Sequence, residues 1–233
     1  MGTRSHEQDA LLTDYDKDTA YSGAFHTIYA NIRLNWDSDH SEQSHLSQYH
    51  TLMFTAPSGH LEQATLAANL AIIAAQSGAP TVLVDANLRT PTLQQRFGIG
   101  KNEGLSDLLE GGDAVTPQKV AAFLCSTFIP GLRLLGAGNS TDKGGLLLLS
   151  PRLDEVIASI RQHIIETETK TSVVIFNSPP VLLGADASLI GALVEQTFLA
   201  IIVGQTTRAQ AKQAQEQLQQ AHAKLAGIIM VRG

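Results

Sequence analysis

Three short segments carry side chains that could handle a phosphate, and each carries them in altered form. Residues 55–65 lie between an apolar run, 51–54, that reads as a strand and a run, 66–75, that reads as a helix. A phosphate-binding loop in that setting places a lysine on the β- and γ-phosphates. It has a glycine before the lysine where the backbone closes in, and a hydroxyl after it on Mg²⁺. Here those three places hold Gln63, Glu62 and Ala64, while Gly59 and Thr65 keep residue types that such a loop uses. The second segment reads Leu83-Val84-Asp85-Ala86-Asn87-Leu88-Arg89-Thr90-Pro91, and the third Asn177-Ser178-Pro179-Pro180. Asp85 offers a carboxylate at a strand end and Arg89 a cation; Asn87 and Asn177 offer neutral amides. Gln63, Ala64, Asn87 and Asn177 are therefore read as degenerate catalytic positions. Gly59, Thr65, Asp85 and Arg89 are read as the remnant of a nucleotide pocket, able at most to hold an anion weakly at a helix N-terminus. Each has a plainer reading beside it. Asp85 caps a turn, Arg89 pairs with a carboxylate, Gly59 punctuates a turn, and Asn177 bonds its own turn. The spacing of His40, His45, His50 and His60 suits neither one helix face nor a chelating motif, so no metal site is expected.

The elements that must position these residues follow from periodicity. Apolar or β-rich runs at 51–55, 81–86, 132–135, 172–177, 198–203 and 227–231 read as strands, with helical patterns between most of them. Runs 81–84, 172–176 and 198–203 are apolar throughout rather than alternating, as in parallel strands covered on both faces. The prediction is an α/β fold: a doubly wound, mainly parallel sheet whose ligands bind beyond the carboxyl ends of the strands. Ser150-Pro151 with Asp154 and Glu155 reads as a helix start. The run 206–224 reads as a helix under a Thr206 or Thr207 cap, with Leu225 still on its periodic face. Residues 1–19 read as a flexible N-terminal arm and 20–233 as a single domain. Within that domain, 20–36 is a helix with Phe25, Ile28, Tyr29 and Ile32 on one face, and 37–49 is a polar connector.

The chain has 233 residues, 43% hydrophobic and 16% charged, which suits one α/β domain. A formal charge of −6 argues against nucleic acid or an anionic bilayer as main partner. No apolar run reaches the ~20 residues that span a membrane, so no direct insertion is expected. Cys125 is the sole cysteine, which rules out an intrachain disulfide; in its apolar context it reads as a buried, inert thiol. With no signal peptide in view, a cytoplasmic location is expected, at most peripheral to the inner face of the cell membrane through a partner.

In their order, these segments resemble the bacterial tyrosine kinase family of capsule and exopolysaccharide synthesis. That family is a branch of the P-loop NTPases that include the septum-site and plasmid-partition ATPases. Ala24 to Arg33 looks like its N-terminal helix, and Leu83 to Pro91 like its second Walker element. The pieces Phe97-Gly98-Ile99, Gly104 to Leu109, Ser150-Pro151-Arg152-Leu153 and Ser178 to Leu182 follow in register. The departures are as regular as the matches. The loop's Gly-Lys-Ser/Thr becomes Glu62-Gln63-Ala64, and Asn87 and Asn177 stand for aspartates. Gly23, His26 and Tyr29 replace a ring-docking Glu-x-x-Arg-x-x-Arg motif, and Val231 stands where the last strand usually ends in asparagine. The family's C-terminal tyrosine cluster is missing, since all four tyrosines precede residue 50.

The resemblance implies a catalytically degenerate, kinase-like domain that serves as a regulatory or scaffold partner without a bound cofactor. Its partner would be the cytoplasmic end of a membrane polysaccharide co-polymerase, or active paralogues in a mixed assembly. With the docking motif lost, the ring is weakened, and a monomer or a differently built dimer is expected. The competing reading is an active ATP-binding tyrosine kinase or ATPase with a rewired site, taking ATP or ADP and Mg²⁺. A partition-type positioning ATPase fits less well, because it wants a lysine-bearing loop and often a membrane-targeting C-terminal helix.

Overall fold

The structure is a computed structural model and describes residues 11–12, 19–38, 49–59, 61–139, 144–168 and 170–232. Among the described residues seven strands form one sheet: β1 (Tyr49–Thr55), β2 (Thr81–Asp85), β3 (Leu124–Ser126), β4 (Leu132–Leu135), β5 (Ser172–Asn177), β6 (Gln196–Val203) and β7 (Leu225–Arg232), in the spatial order β3-β4-β2-β5-β1-β6-β7. All neighbours are parallel except β3, which pairs antiparallel with β4 at one edge. β3 is absent from the reading by periodicity; three residues are too few to show a period. It carries Cys125, which is half-buried at this edge rather than fully enclosed.

Successive side chains of the central strands enter opposite cores. Leu52, Phe54, Leu83, Val173 and Ile175 face one, and Met53, Val82, Val84, Val174 and Phe176 the other. The uninterrupted apolar runs of these strands are thereby accounted for. On the first face lie α1 (Ala20–Ser38) and α2 (Leu61–Gln76). From Leu66 to Ala75 every residue of α2 is buried, because the helix is held between the sheet and α1. Within that stretch the amide of Asn69 accepts from the Leu12 backbone N–H (3.0 Å) and donates to the Tyr21 hydroxyl (3.3 Å). Leu11 and Leu12 are buried in the same core, so the stretch read as a loose arm is anchored at these two residues. The remainder of that arm lies outside the described residues. The helix read as ending at residue 36 runs to Ser38, and Tyr49 already belongs to β1; positions 39–48 of the connector lie outside the described residues.

The short α3 (Leu93–Arg96) packs on the first face through Leu93. The second face is covered by α4 (Leu105–Glu110), α5 (Pro117–Phe123), α6 (Gly144–Leu148), α7 (Arg152–Thr167), α8 (Asp186–Leu193) and α9 (Arg208–Gln220). α7 begins behind Pro151 with Asp154 and Glu155 in its first turn, as the sequence predicts. Thr207 caps α9 through a reciprocal box with Gln210. α9 stops at Gln220, and the chain then turns through His222 with φ 59°. Leu225, on the helical period, opens β7 instead. Among the described residues no helix is long and apolar enough to cross a membrane.

Candidate active site

Register places the three polar segments together. Phe54 and Asp85 both pair with Asn177, so the loops that follow β1, β2 and β5 leave one end of the sheet side by side. The backbone stitches them. Ser178 N–H donates to Phe54 carbonyl (3.2 Å), Val181 N–H to Ala56 carbonyl (2.9 Å) and Ala86 N–H to Asn177 carbonyl (2.9 Å).

Gln63 stands on the first turn of α2, where a phosphate-binding lysine would reach outward. Its side chain turns inward and is 3% exposed. Its Nε2 donates to the Ser178 carbonyl (2.5 Å), the Phe54 carbonyl (3.3 Å) and Asn177 Oδ1 (3.3 Å). Asn177 Nδ2 in turn donates to Asp85 Oδ1 (3.0 Å), and Asp85 Oδ2 accepts the backbone N–H groups of Thr92 (3.1 Å) and Leu93 (3.0 Å) at the start of α3. The line has one polarity: carbonyls, which only accept, close one end, and a carboxylate that accepts from every partner closes the other. Burial pushes the Asp85 carboxyl up to about 6, against the pull of its hydrogen bonds from Leu93, Asn177 and Thr92.

A cleft of about 290 Å³ remains in front of this line, lined by Gly59, Gln63, Ala64, Asn87, Asn177 and Pro180 among others. No lysine, arginine, aspartate or glutamate is among its described lining residues. Ala64 gives it a methyl group, which holds no metal. Asn87 is spent on a turn, accepting from Thr90 N–H (3.2 Å) and donating to the Thr90 hydroxyl (3.1 Å). Gly59 is not in the left-handed region, and among the described residues a Cβ there would only touch Pro180 Cγ at 3.7 Å, so nothing in those surroundings demands glycine. Thr65 faces α3 and accepts from Arg96 Nη1 (2.8 Å). Arg89 turns away from the cleft: its Nε donates to Asp186 Oδ2 at 2.7 Å, pairing an arginine 42% exposed with a carboxylate 5% exposed at the start of α8. That hydrogen bond and the carboxylate charge hold the guanidinium above its ordinary pKa. Gly145 and Gly184 give the guanidinium room, since a Cβ on either would crowd it. The structure thus gathers Gly59, Gln63, Ala64, Asn87 and Asn177 at the cleft, sets Asp85 behind it, and sends Thr65 and Arg89 elsewhere. Sequence reading misses Asp186 and Arg96, which lie 97 and 31 residues from the partners they bind and carry no local signal.

No protein-family model matches the chain. The tyrosine-protein kinase YwqD of Bacillus subtilis (strain 168) is 30% identical over 210 residues, covering 87% of this chain and 78% of YwqD. EpsB of Ralstonia solanacearum is 27% identical over 178 residues, 76% of this chain; the chain spans 22% of EpsB. Among solved structures, the BceF tyrosine kinase domain aligns with a TM-score of 0.77 at 25% identity, over 96% of this chain and 81% of that one. The fold is that of the P-loop NTPases, as the sequence predicts.

Two measurements probe the buried line. Asn177→Asp sets a second carboxyl 3.0 Å from Asp85. Urea unfolding at neutral pH is expected to show a loss of about 3–5 kcal/mol, the scale of an uncompensated buried charge, and adding Gln63→Lys is expected to recover part of it. The second concerns pH. The folded pKa of Asp85 lies above its unfolded value of 3.8, so the native state binds the extra proton between pH 3.8 and about 6. The contribution of Asp85 is therefore greatest below pH 3.8 and falls by on the order of 3 kcal/mol as pH rises through about 6. Stability curves of wild type and Asp85→Asn, subtracted, are expected to carry that slope in that window and to be flat above pH 7.

Proposed function

Because the chain belongs to the bacterial tyrosine kinase family, we propose that it is a catalytically degenerate kinase-like domain, acting as a regulatory or scaffold partner in capsular or exopolysaccharide biosynthesis. The observation that carries this reading is the inward amide of Gln63 at the position of the nucleotide lysine, its Nε2 bonded to three protein acceptors, in front of a cleft whose described lining has no charge. Phosphoryl transfer rests on positioning and on neutralising charge with a cation and Mg²⁺. Gln63 has no charge, Ala64 no metal ligand, and the amides of Asn87 and Asn177 are already bonded. Each lost charge-assisted contact is worth ~1.5–3 kcal/mol. The set then removes roughly 5 kcal/mol or more, three or more decades in rate. The partner that fits such a role is the cytoplasmic end of a membrane polysaccharide co-polymerase, alone or with active paralogues, and the chain would then work in the cytoplasm beside the membrane.

A second reading, an ATP-binding kinase or ATPase with a rewired site, draws on the cleft itself and on Asp85, still ionisable at the end of β2. Incubation of the purified chain with radiolabelled ATP and Mg²⁺ separates the two. No label above background is expected on the chain or on a tyrosine-containing acceptor polymer; robust Mg²⁺-dependent labelling would contradict degeneracy. The replaced docking motif gives a separate expectation. Gly23 has open space around it and His26 is exposed on α1, so neither supplies the charges that hold a ring. Light scattering is expected to give a monomer or dimer; a stable octamer would refute it.

A further inference from the structure

A second cleft, of about 250 Å³, opens at the opposite end of the sheet from the candidate active site, where β1 and β5 begin. Its walls are the carboxyl-terminal half of α1 (Tyr29, Arg33, Trp36), the turn after α2 (Ser77 to Ala79), His50 of β1, and Lys170 and Thr171 ahead of β5.

The polar groups of this cleft are biased toward donors. Arg33 and Lys170 come from elements distant in sequence and are both exposed, and neither side chain makes a hydrogen bond or ion pair with the described residues. Burial holds the Tyr29 hydroxyl above its ordinary pKa, with Arg33 pulling the other way, so the hydroxyl stays a donor at neutral pH. Trp36 is only 6% exposed, and its buried Nε1–H has no acceptor among the described residues. An unpartnered buried donor is costly, about 1–3 kcal/mol, and calls for an explanation. The ring is held in place by a stack on His50, with centroids 4.0 Å apart and planes 11° from parallel. His50 is engaged in turn by Glu195 (3.5 Å), a carboxylate that does not line the cleft and also accepts from Thr51 N–H (3.1 Å). The carboxyl ends of α1 and α2 bring about half a negative charge each, which two full cations outweigh.

We propose that this cleft binds a phosphate-type oxyanion, held between Arg33 and Lys170 with the Trp36 indole N–H and the Tyr29 hydroxyl as further donors. The occupant is free phosphate or the phosphate group of a small monoester. A multiply charged anion with several acceptor oxygens suits cations that approach from two elements. A monocarboxylate would satisfy only part of the set.

Trp36 is the only tryptophan in the chain, so its fluorescence reports on this cleft. The full chain would be titrated with inorganic phosphate, phenyl phosphate, acetate and sodium chloride at matched ionic strength. Phosphate or the monoester is expected to give a saturable change that acetate and chloride do not. Arg33→Gln and Lys170→Gln, each at an exposed position, are each expected to weaken it about ten-fold or more, the scale of one charge-assisted hydrogen bond. Saturation by the monoester alone supports the site and assigns it to an esterified phosphate; saturation by both supports free phosphate. An equal response to acetate or chloride, no saturable response, or binding unchanged in both variants would overturn the proposal.

Discussion

Gln63, Asn177 and Asp85 form one hydrogen-bonded line across the ends of β1, β5 and β2, and its donors can run only one way. All three residues are buried, so their polar atoms depend on protein partners. The backbone carbonyls of Phe54 and Ser178 fix the Gln63 amide, the Gln63 amide fixes that of Asn177, and Asn177 meets a carboxylate that also caps the start of α3. The three loops at this end of the sheet are tied together by that chain of dependencies. In the family that the chain resembles, charges at two of these places face a phosphate and a metal. Here two amides face each other and the protein.

That exchange gives the substitutions a common logic. A lysine at position 63 beside Asn177 would be a buried charge with only dipoles to meet it, and an aspartate at 177 beside Asp85 would be two carboxyls without a cation. Neutralising both places removes both problems, so Gln63 and Asn177 are understood best as a pair. Ala64 and the turn-bound Asn87 fit beside them: neither offers the metal-ligating hydroxyl or the second carboxylate that phosphate chemistry uses. Arg89, paired with Asp186 in a pocket shaped by Gly145 and Gly184, serves to hold α8 to the loop after β2.

Much of this was legible in the sequence, and the physical reason is clear element by element. β2, β5 and β6 announce themselves because their middle residues meet a core on both faces, which favours apolar residues at consecutive positions, 82–84, 173–176 and 198–202. α7 and α9 are marked by local chemistry, a proline and two acids in one case and a threonine cap in the other. The identity of the residues at 63, 87 and 177 told that charge was missing. The sequence was silent where partners are distant or elements short: the three-residue β3, the burial of Leu11 and Leu12 against α2, and the pairs Arg89–Asp186 and Arg96–Thr65. Above all, a neutral glutamine in place of a lysine does not say where its amide goes. That it turns inward and is consumed is a property of the packed strands around it.

Calorimetric titration of the purified chain with ATP and Mg²⁺ tests this account most directly. With Gln63 facing Asn177 and no cation among the described residues lining the cleft, no heat of binding is predicted up to millimolar nucleotide. Saturable binding in the micromolar range, abolished by filling the cleft through Gly59→Trp, would contradict it.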